Sequence, residues 1–290
     1  MAERELDQAA GLRRLFRGEG LKVIAVASGC PGVGKSTCVQ NLAAALAQAG
    51  RQVLVVDENP DPARGQGPVR PARWDLGDVV AGRARIENAL QKGAEGVALL
   101  PAPRGLRALS EASAPRRASL AKEFAALRLP LDTVLVDTAV AQMETSDSLA
   151  LAAEDWLVVV NGSRAAITDG YALIKAIHRA TAQRHFRILV NCVEQDAAAR
   201  GIFDNLALVS RRYLAVTLEY FGSVPQDARL AKARAAGRAV VLAQPAAPSA
   251  KRYRELANQL LRGGLALPQE GAMGQLFDRL LHARRTALAA

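Results

Sequence analysis

The stretch that decides the fold runs from residue 21 to residue 50 and reads LKVIAVASGCPGVGKSTCVQNLAAALAQAG. Its first seven residues are an apolar run of the kind found in buried parallel strands. Residues 37–49 place apolar side chains at helical spacing and are followed by Gly50, a residue that commonly ends a helix. The stretch therefore predicts a strand, a glycine-containing loop and a helix, in that order.

The loop between these two elements matches the pattern G-x-x-x-x-G-K-[ST] of a phosphate-binding loop. Its glycines allow backbone N–H groups to point into one concavity, where the N-terminus of the following helix adds partial positive charge. We expect Lys35 to reach the β- and γ-phosphates of a nucleotide, and the Ser36 hydroxyl to complete the shell of a bound Mg²⁺. A glycine-rich turn that matches by chance is the alternative, and the flanking strand and helix argue against it. The predicted nucleotide-binding residues are Gly29, Cys30, Pro31, Gly32, Val33, Gly34, Lys35, Ser36 and Thr37.

The composition favours a cytoplasmic α/β protein. Half of the 290 residues are hydrophobic but only 4% are aromatic, which suits helices packed on a parallel sheet better than a β-sandwich. The three cysteines have neither the spacing of a zinc site nor the density of a disulfide scaffold, so we expect a reducing compartment. The first twenty residues do not resemble a signal peptide, and no apolar stretch is long enough to span a membrane.

The net charge of +10 raises the question of nucleic-acid binding. The basic residues are scattered along the chain, with hardly any aromatic residues between them for base stacking. We therefore interpret the charge as a solvated basic surface and expect no direct contact with nucleic acid. Anionic lipid or an acidic protein partner is the alternative explanation.

Further apolar runs alternate with helical patterns along the rest of the chain. The predicted strands are residues 52–56, 97–100, 133–136, 156–160, 187–192 and 218–221. The predicted helices are residues 74–81, 86–90, 119–127, 168–181, 203–214, 226–235 and 250–262. This alternation predicts a doubly wound, mostly parallel sheet with helices on both faces and with sites at the carboxyl ends of its strands.

An acidic residue, Asp137, directly follows the predicted strand at residues 133–136. A Mg²⁺ ion bound with a nucleotide needs such a carboxylate as its second anchor, usually through a water molecule. An Asp that merely caps a strand is common in α/β proteins and is the alternative interpretation. Its position downstream of the phosphate loop favours the role in metal binding.

Two segments flank a predicted domain at residues 21–262. Residues 1–20 form a short amphipathic pattern that is too short to fold alone, so it must dock on its own domain or on another protein. Residues 263–290 predict a linker and then an amphipathic helix whose apolar side chains lie beside arginines over residues 273–288. Such a helix either lies on an anionic membrane surface or packs back on its own domain.

Several of these segments together resemble the MinD/ParA class of P-loop ATPases. They are the phosphate loop, the strands that end at Asp57 and Asp137, AITDGYALIKAI at 166–177, LVNCV at 189–193 and FGSVPQD at 221–227. Within the class, ITDGYALIK and the N-terminal DQAAGLRR are similar to the FlhG family, also called FleN or YlxH, which regulates flagellar number and placement. The resemblance implies a MinD-like P-loop fold with helical appendages at both ends, and ATP or ADP with Mg²⁺ as ligands. The residues it implies are Lys35, Asp57 and Asp137 for catalysis, Ser36, Asp57 and Asp137 for Mg²⁺, partly through water, and Asn191 for adenine.

The resemblance also implies partners. The ATP-bound form of the class dimerises face to face, and a C-terminal helix reaches the inner face of the cell membrane. In the FlhG family the N-terminal segment engages the GTPase FlhF, which implies contacts through Asp7, Gln8, Leu12 and Arg13. Flagellar switch proteins or a flagellar transcriptional activator are the other implied partners.

Four departures from the family pattern bear on catalysis. The family loop reads KGGVGK[ST], and its first Lys reaches across the dimer; here Cys30 and Pro31 occupy the first two positions. Asn59 stands where the second Asp of a D-x-D motif helps to orient the attacking water. DTAVA at 137–141 replaces D-[TS]-G/P-A-G, and the Pro that usually precedes the position of Thr168 is absent. These changes leave the binding residues intact and remove catalytic ones.

We therefore expect an ATP-binding flagellar regulator with weak or degenerate hydrolysis. One alternative is a regulatory or scaffold protein that binds nucleotide without hydrolysing it. Another ATPase of the same class, such as a cellulose-synthesis accessory protein, fits the fold but does not account for the N-terminal segment.

Overall fold

The computed structural model describes residues 21–60, 72–103, 105–139, 148–262 and 272–279. The strands in these residues are β1 (Lys22–Ala27), β2 (Val53–Asp57), β3 (Gln91–Lys92), β4 (Ala98–Pro101), β5 (Thr133–Asp137), β6 (Asp155–Val160), β7 (His185–Val193) and β8 (Thr217–Pro225). They form one sheet in the spatial order β3-β4-β2-β5-β1-β6-β7-β8. All neighbouring strands are parallel except β3 and β4, which are antiparallel. The predicted doubly wound, mostly parallel sheet is confirmed.

Ten helices lie between or after these strands in the described residues, in addition to the helical residues 272–279, and several of them begin two to seven residues earlier than the apolar pattern predicts. The helices are α1 (Lys35–Gln48), α2 (Leu76–Val80), α3 (Ile86–Ala89), α4 (Gly105–Glu111), α5 (Ala114–Ala126), α6 (Arg164–Thr181), α7 (Asp196–Leu214), α8 (Ala228–Ala235), α9 (Val240–Ala243) and α10 (Pro248–Arg262). A 3-10 turn, Leu149–Ala152, precedes β6. The starts of α5 and α6 are set by the N-cap hydroxyls of Ser113 and Ser163, each of which accepts a backbone N–H.

The sheet is buried on both faces. Alternate residues of β1 enter opposite hydrophobic clusters: Val23 and Ala25 face one cluster, and Ile24 and Val26 face the other. The first cluster receives side chains from α2 to α7, and the second receives them from α1, α8, α9 and α10. Because neither face meets solvent, β1 must be apolar at nearly every position, as its sequence is.

The topology brings three carboxyl-terminal strand ends together. Strand β1 lies between β5 and β6, and β5 lies between β1 and β2. In the register of the sheet, Asp137 of β5 is aligned with Val26 of β1 and with Asp57 of β2. The phosphate loop leaves the end of β1, so the loop, Asp57 and Asp137 lie at the same edge of the sheet.

Residues 272–279 are helical and pack on the domain. Met273 and Phe277 are fully buried in the first cluster, and the ring centroids of Phe277 and Phe124 of α5 are 5.0 Å apart. The Arg279 guanidinium donates to the carbonyl of Leu21 at 2.8 Å and pairs with Glu154 at 2.9 Å. The sequence left two alternatives for the amphipathic helix, a membrane surface or its own domain. The described part of this helix packs on the domain. The predicted segment 1–20, most of the predicted linker and residues 280–290 lie outside the described residues.

None of the helices in the described ranges combines the length and the hydrophobicity needed to cross a bilayer.

Candidate nucleotide-binding site

The phosphate loop needs glycine at two positions for steric reasons. Gly34 has φ +89°, and a Cβ there would lie 2.3 Å from the side-chain nitrogen of Asn191. A Cβ on Gly29 would lie 2.2 Å from the backbone of Asp169, because α6 passes directly behind the loop. Any larger residue would force the loop away from β7 or α6.

The N-terminus of α1 is oriented for an anion. Gly34 is the N-cap residue of α1, so no N-cap side chain bonds to the first-turn backbone N–H groups. These groups and the helix dipole favour phosphate at such a position. Thr37, also predicted to bind nucleotide, is buried in this first turn and its carbonyl accepts a hydrogen bond from Asn41 at 2.8 Å.

Lys35 and Asp137 form a buried ion pair at the start of α1. The two residues are 6% and 3% exposed. An ammonium and a carboxylate that are both removed from water must compensate each other, because an unpaired buried charge is costly. The loop lysine is therefore fixed at the carboxyl end of β5, beside the loop that precedes it.

Asp57 lies opposite Asp137 in this buried corner. Its carboxylate accepts hydrogen bonds from the backbone N–H and the side-chain amide of Asn59, at 3.0 and 2.6 Å. Burial, and then the neighbouring Asp137, raise the pKa of Asp57 to about 6. Two carboxylates face a single lysine here, so the corner favours additional positive charge such as that of a divalent cation.

Ser36 and Asp137 line the wall of a cavity of about 480 Å³ that extends along α1. Within the described ranges, no three His, Cys, Asp or Glu side chains are grouped so as to hold a metal ion by themselves. Mg²⁺ is usually bound through one or two carboxylates together with phosphate oxygens. The side chains present therefore fit a Mg²⁺ ion that enters with a phosphate ligand, with Ser36, Asp57 and Asp137 around it.

Asn191, the residue expected at adenine, lies beneath the phosphate loop at the end of β7. Its side-chain nitrogen donates to the carbonyl of Val33 at 2.7 Å. Its side-chain oxygen is buried and has no hydrogen-bond partner in the described part of the chain. Asn191 thus holds the loop in place and retains one unpaired acceptor.

Cys30 and Pro31 occupy the outer part of the loop. Cys30 is half-buried and Pro31 is exposed. Burial, and then the nearby Asp169, raise the pKa of the Cys30 thiol above its ordinary value. The thiol therefore stays neutral near pH 7 and cannot supply the charge of the lysine found at this position in the resembling family.

One residue of this region had no predicted role. Glu58 is 1% exposed and accepts a hydrogen bond from the Ser148 hydroxyl at 2.9 Å and another from the backbone N–H of Leu149. Burial raises the pKa of Glu58 to about 7. Its side-chain donor lies 90 positions away in the chain, so no local pattern could have revealed the contact.

A parallel sheet with a phosphate-binding loop between its central strand and the following helix defines the P-loop class of proteins. The pattern of the CobQ/CobB/MinD/ParA nucleotide binding domain matches residues 24–240. The chain belongs to this MinD/ParA family, within the group that includes FleN, as its sequence motifs predicted.

Three similar proteins illustrate the relationship. The chain is 33% identical to the antiactivator FleN of Pseudomonas aeruginosa over 274 residues, which cover 93% of this chain and 96% of FleN. It is 26% identical to the flagellum site-determining protein YlxH of Helicobacter pylori, over 90% of each chain. The structure of the septum site-determining protein MinD from Pyrococcus horikoshii, complexed with Mg-ADP, is similar in fold, with a TM-score of 0.60, 22% identity, and coverage of 84% of this chain and 98% of that one.

Proposed function

We propose that this chain is an ATP-binding regulator of flagellar number or placement, of the FleN and YlxH type, with very slow hydrolysis. The observation that carries the proposal is the buried ion pair of Lys35 and Asp137 beneath the N-terminus of α1, in a chain that belongs to the MinD/ParA family. The names of its relatives FleN and YlxH support the regulatory role.

The ligands of the proposed site are ATP or ADP with Mg²⁺. Lys35 and the first-turn N–H groups of α1 would hold the phosphates, and Ser36 would contact the metal directly. Asp57 and Asp137 would hold it partly through water. The unpaired oxygen of Asn191 is an acceptor of the kind that the exocyclic amine of adenine requires. The Mg-ADP complex of the related fold from Pyrococcus horikoshii supports this ligand class.

Slow hydrolysis follows from two side chains. Asn59 donates its side-chain amide to Asp57, and an amide cannot accept a proton from an attacking water as a carboxylate can. Cys30 is neutral where the family supplies a cation across the dimer. A cation placed at the transferring phosphate is worth about 10³ to 10⁵ in rate, so its loss removes most of the catalysis.

Restoring both groups should raise turnover. We expect the wild type to release phosphate from ATP barely above background, and Cys30→Lys together with Asn59→Asp to increase the rate more than the two single changes combined. Phosphate release under saturating Mg-ATP measures this. Brisk turnover by the wild type would show that other groups, or a partner, supply the missing function. No turnover in the double variant, with binding retained, would favour the non-hydrolysing scaffold.

The proposed partners follow the family. We propose an ATP-dependent homodimer, a GTPase of the FlhF type bound through Asp7, Gln8, Leu12 and Arg13, and flagellar switch proteins or a flagellar transcriptional activator. The proposed location is the cytoplasm, with peripheral attachment to the inner face of the membrane through residues 273–288. Because Met273 and Phe277 are buried, membrane attachment through this helix requires it to leave the domain.

The flagellar role is tested in the source organism. Deleting the coding sequence should change the number or position of flagella per cell, counted by electron microscopy, and the wild-type chain should restore it. A Lys35→Ala chain expressed at the same level should fail to restore it, because nucleotide binding is lost. An unchanged flagellar pattern after deletion would contradict the role.

A further inference from the structure

Glu58 is a buried carboxylate to which the proposed function gives no role. It lies next to Lys35, Asp57 and Asp137, which together we call the phosphate corner. Besides the Ser148 hydroxyl and the Leu149 backbone N–H, it accepts a hydrogen bond from the backbone N–H of Ala139. The Ser148 hydroxyl also accepts from the backbone N–H of Ala150, so it caps the 3-10 turn before β6. Glu58 therefore bonds to the chain on both sides of residues 140–147.

Stability alone does not explain why a carboxylate is buried at this position. A carboxylate removed from water loses several kcal/mol of hydration, and only a full set of hydrogen bonds compensates for it. An apolar side chain could fill the same volume without that requirement. A buried carboxylate beside a binding site is therefore a candidate for a functional role there.

The backbone connects Glu58 to the phosphate corner. Its N–H donates to the carbonyl of Asp137 at 3.0 Å, and the preceding residue is Asp57. Asp57 and Asp137 are neighbours in register on the adjacent strands β2 and β5, and Lys35 pairs with Asp137. A shift of Asp57 or Asp137 toward a metal and a terminal phosphate would therefore move the Glu58 backbone with it.

We propose that Glu58 is a positioning residue that ties Ala139, Ser148 and Leu149 to the end of β2, so that loading the phosphate corner with a triphosphate reorders these three residues. The inference rests on the proposed function. It predicts that the Glu58 contacts contribute to binding of the triphosphate and little to binding of the diphosphate, because only the triphosphate places charge at the end of the corner.

The test compares Mg-ADP with the Mg²⁺ complex of a non-hydrolysable ATP analogue on the full-length protein. Calorimetry should show that Glu58→Ala weakens analogue binding about tenfold and changes Mg-ADP binding by less than about threefold. Hydrogen exchange at the Leu149 and Ala150 amides should slow with the analogue in the wild type but not in the variant. Ser148→Ala, which removes a single donor, should show the same pattern more weakly, and Glu58→Gln, which keeps an acceptor, should restore part of the preference.

Asp132→Asn is the matched control. Asp132 is also a buried carboxylate. It directly precedes β5, at the opposite end of the strand from Asp137, and accepts from the backbone N–H of Gln52 at 3.1 Å. It should lower stability without altering the ratio of analogue to ADP affinity. Wild-type binding with an unchanged ratio and unchanged exchange in Glu58→Ala and Ser148→Ala would overturn the inference alone. A wild type that binds neither nucleotide would overturn the proposed function, and this inference with it.

Discussion

Replacing Lys35 with Ala is expected to abolish the thermal stabilisation that Mg-ATP or Mg-ADP gives the wild type. A ligand at 100 times its Kd stabilises the folded state by about 2.7 kcal/mol through mass action. Lys35 is the one loop side chain that carries positive charge into the phosphate corner, so its removal should weaken binding beyond detection. Differential scanning fluorimetry with and without nucleotide measures the shift.

The comparison must use the nucleotide-dependent shift and not the melting temperature itself. Lys35→Ala leaves Asp137 buried without its ion-pair partner, and that loss destabilises the protein before any ligand is added. Lys122→Ala is the matched control, because Lys122 is an exposed lysine on α5, away from the loop. It should keep the full shift. If Lys35→Ala keeps the full nucleotide-dependent shift in melting temperature, Lys35 does not bind the phosphates and the assigned phosphate site is wrong.

Replacing Phe277 with Ala is expected to lower the free energy of unfolding by about 3 to 5 kcal/mol. The ring is fully buried and contacts Phe124, so its removal leaves a cavity between the 272–279 helix and α5. Urea denaturation followed by circular dichroism measures the change. Asp278→Ala, an exposed position on the same helix, should stay within about 0.5 kcal/mol of the wild type.

This prediction also bears on the membrane. If Phe277→Ala unfolds at the same urea concentration as Asp278→Ala, the helix is not docked in solution and is free to bind lipid. If it unfolds at a lower urea concentration, as expected, the helix is docked on the domain. Binding to anionic vesicles must then compensate for the packing that is lost when the helix leaves the domain. Vesicle binding should then be weak for the wild type and stronger when the docked state is destabilised.

The central elements of the fold were predictable because their patterns are local. Strand β1 is apolar at every position after Lys22, and the loop and α1 follow it directly, so residues 21–50 specified the centre of the sheet. Strand β3 and helices α4 and α9 were not predicted. Two residues, as in β3, are too short for any periodicity. The predicted starts of α5 and α6 are late because a serine cap, not an apolar residue, sets the first turn. The predicted start of α7 is also late, by seven residues, although its N-cap Gln195 makes no side-chain cap bond.

The candidate site divides in the same way. Lys35 and Ser36 belong to one continuous motif, and Asp57 and Asp137 each follow an apolar strand, so sequence reasoning could select them. The contact of Glu58 with Ser148 and the bond from Asn191 to Val33 join positions that only the sheet topology brings together. Asn191 was assigned to adenine by resemblance, and its contact with the loop was visible only in three dimensions.

The bond from Arg279 to Leu21 also constrains how the protein can fold during synthesis. Strand β1 is among the first parts of the described chain to leave the ribosome. The helix whose Arg279 bonds to Leu21, the residue before β1, is among the last. At about 5 to 20 residues per second, the intervening chain takes on the order of tens of seconds to appear. From the synthesis of Phe124 until the helix at 272–279 appears, about 150 residues later, the ring of Phe124 lacks the contact with Phe277 that it has in the folded domain. Until the helix at 272–279 has been synthesised, the apolar side chains that it covers are available to chaperones.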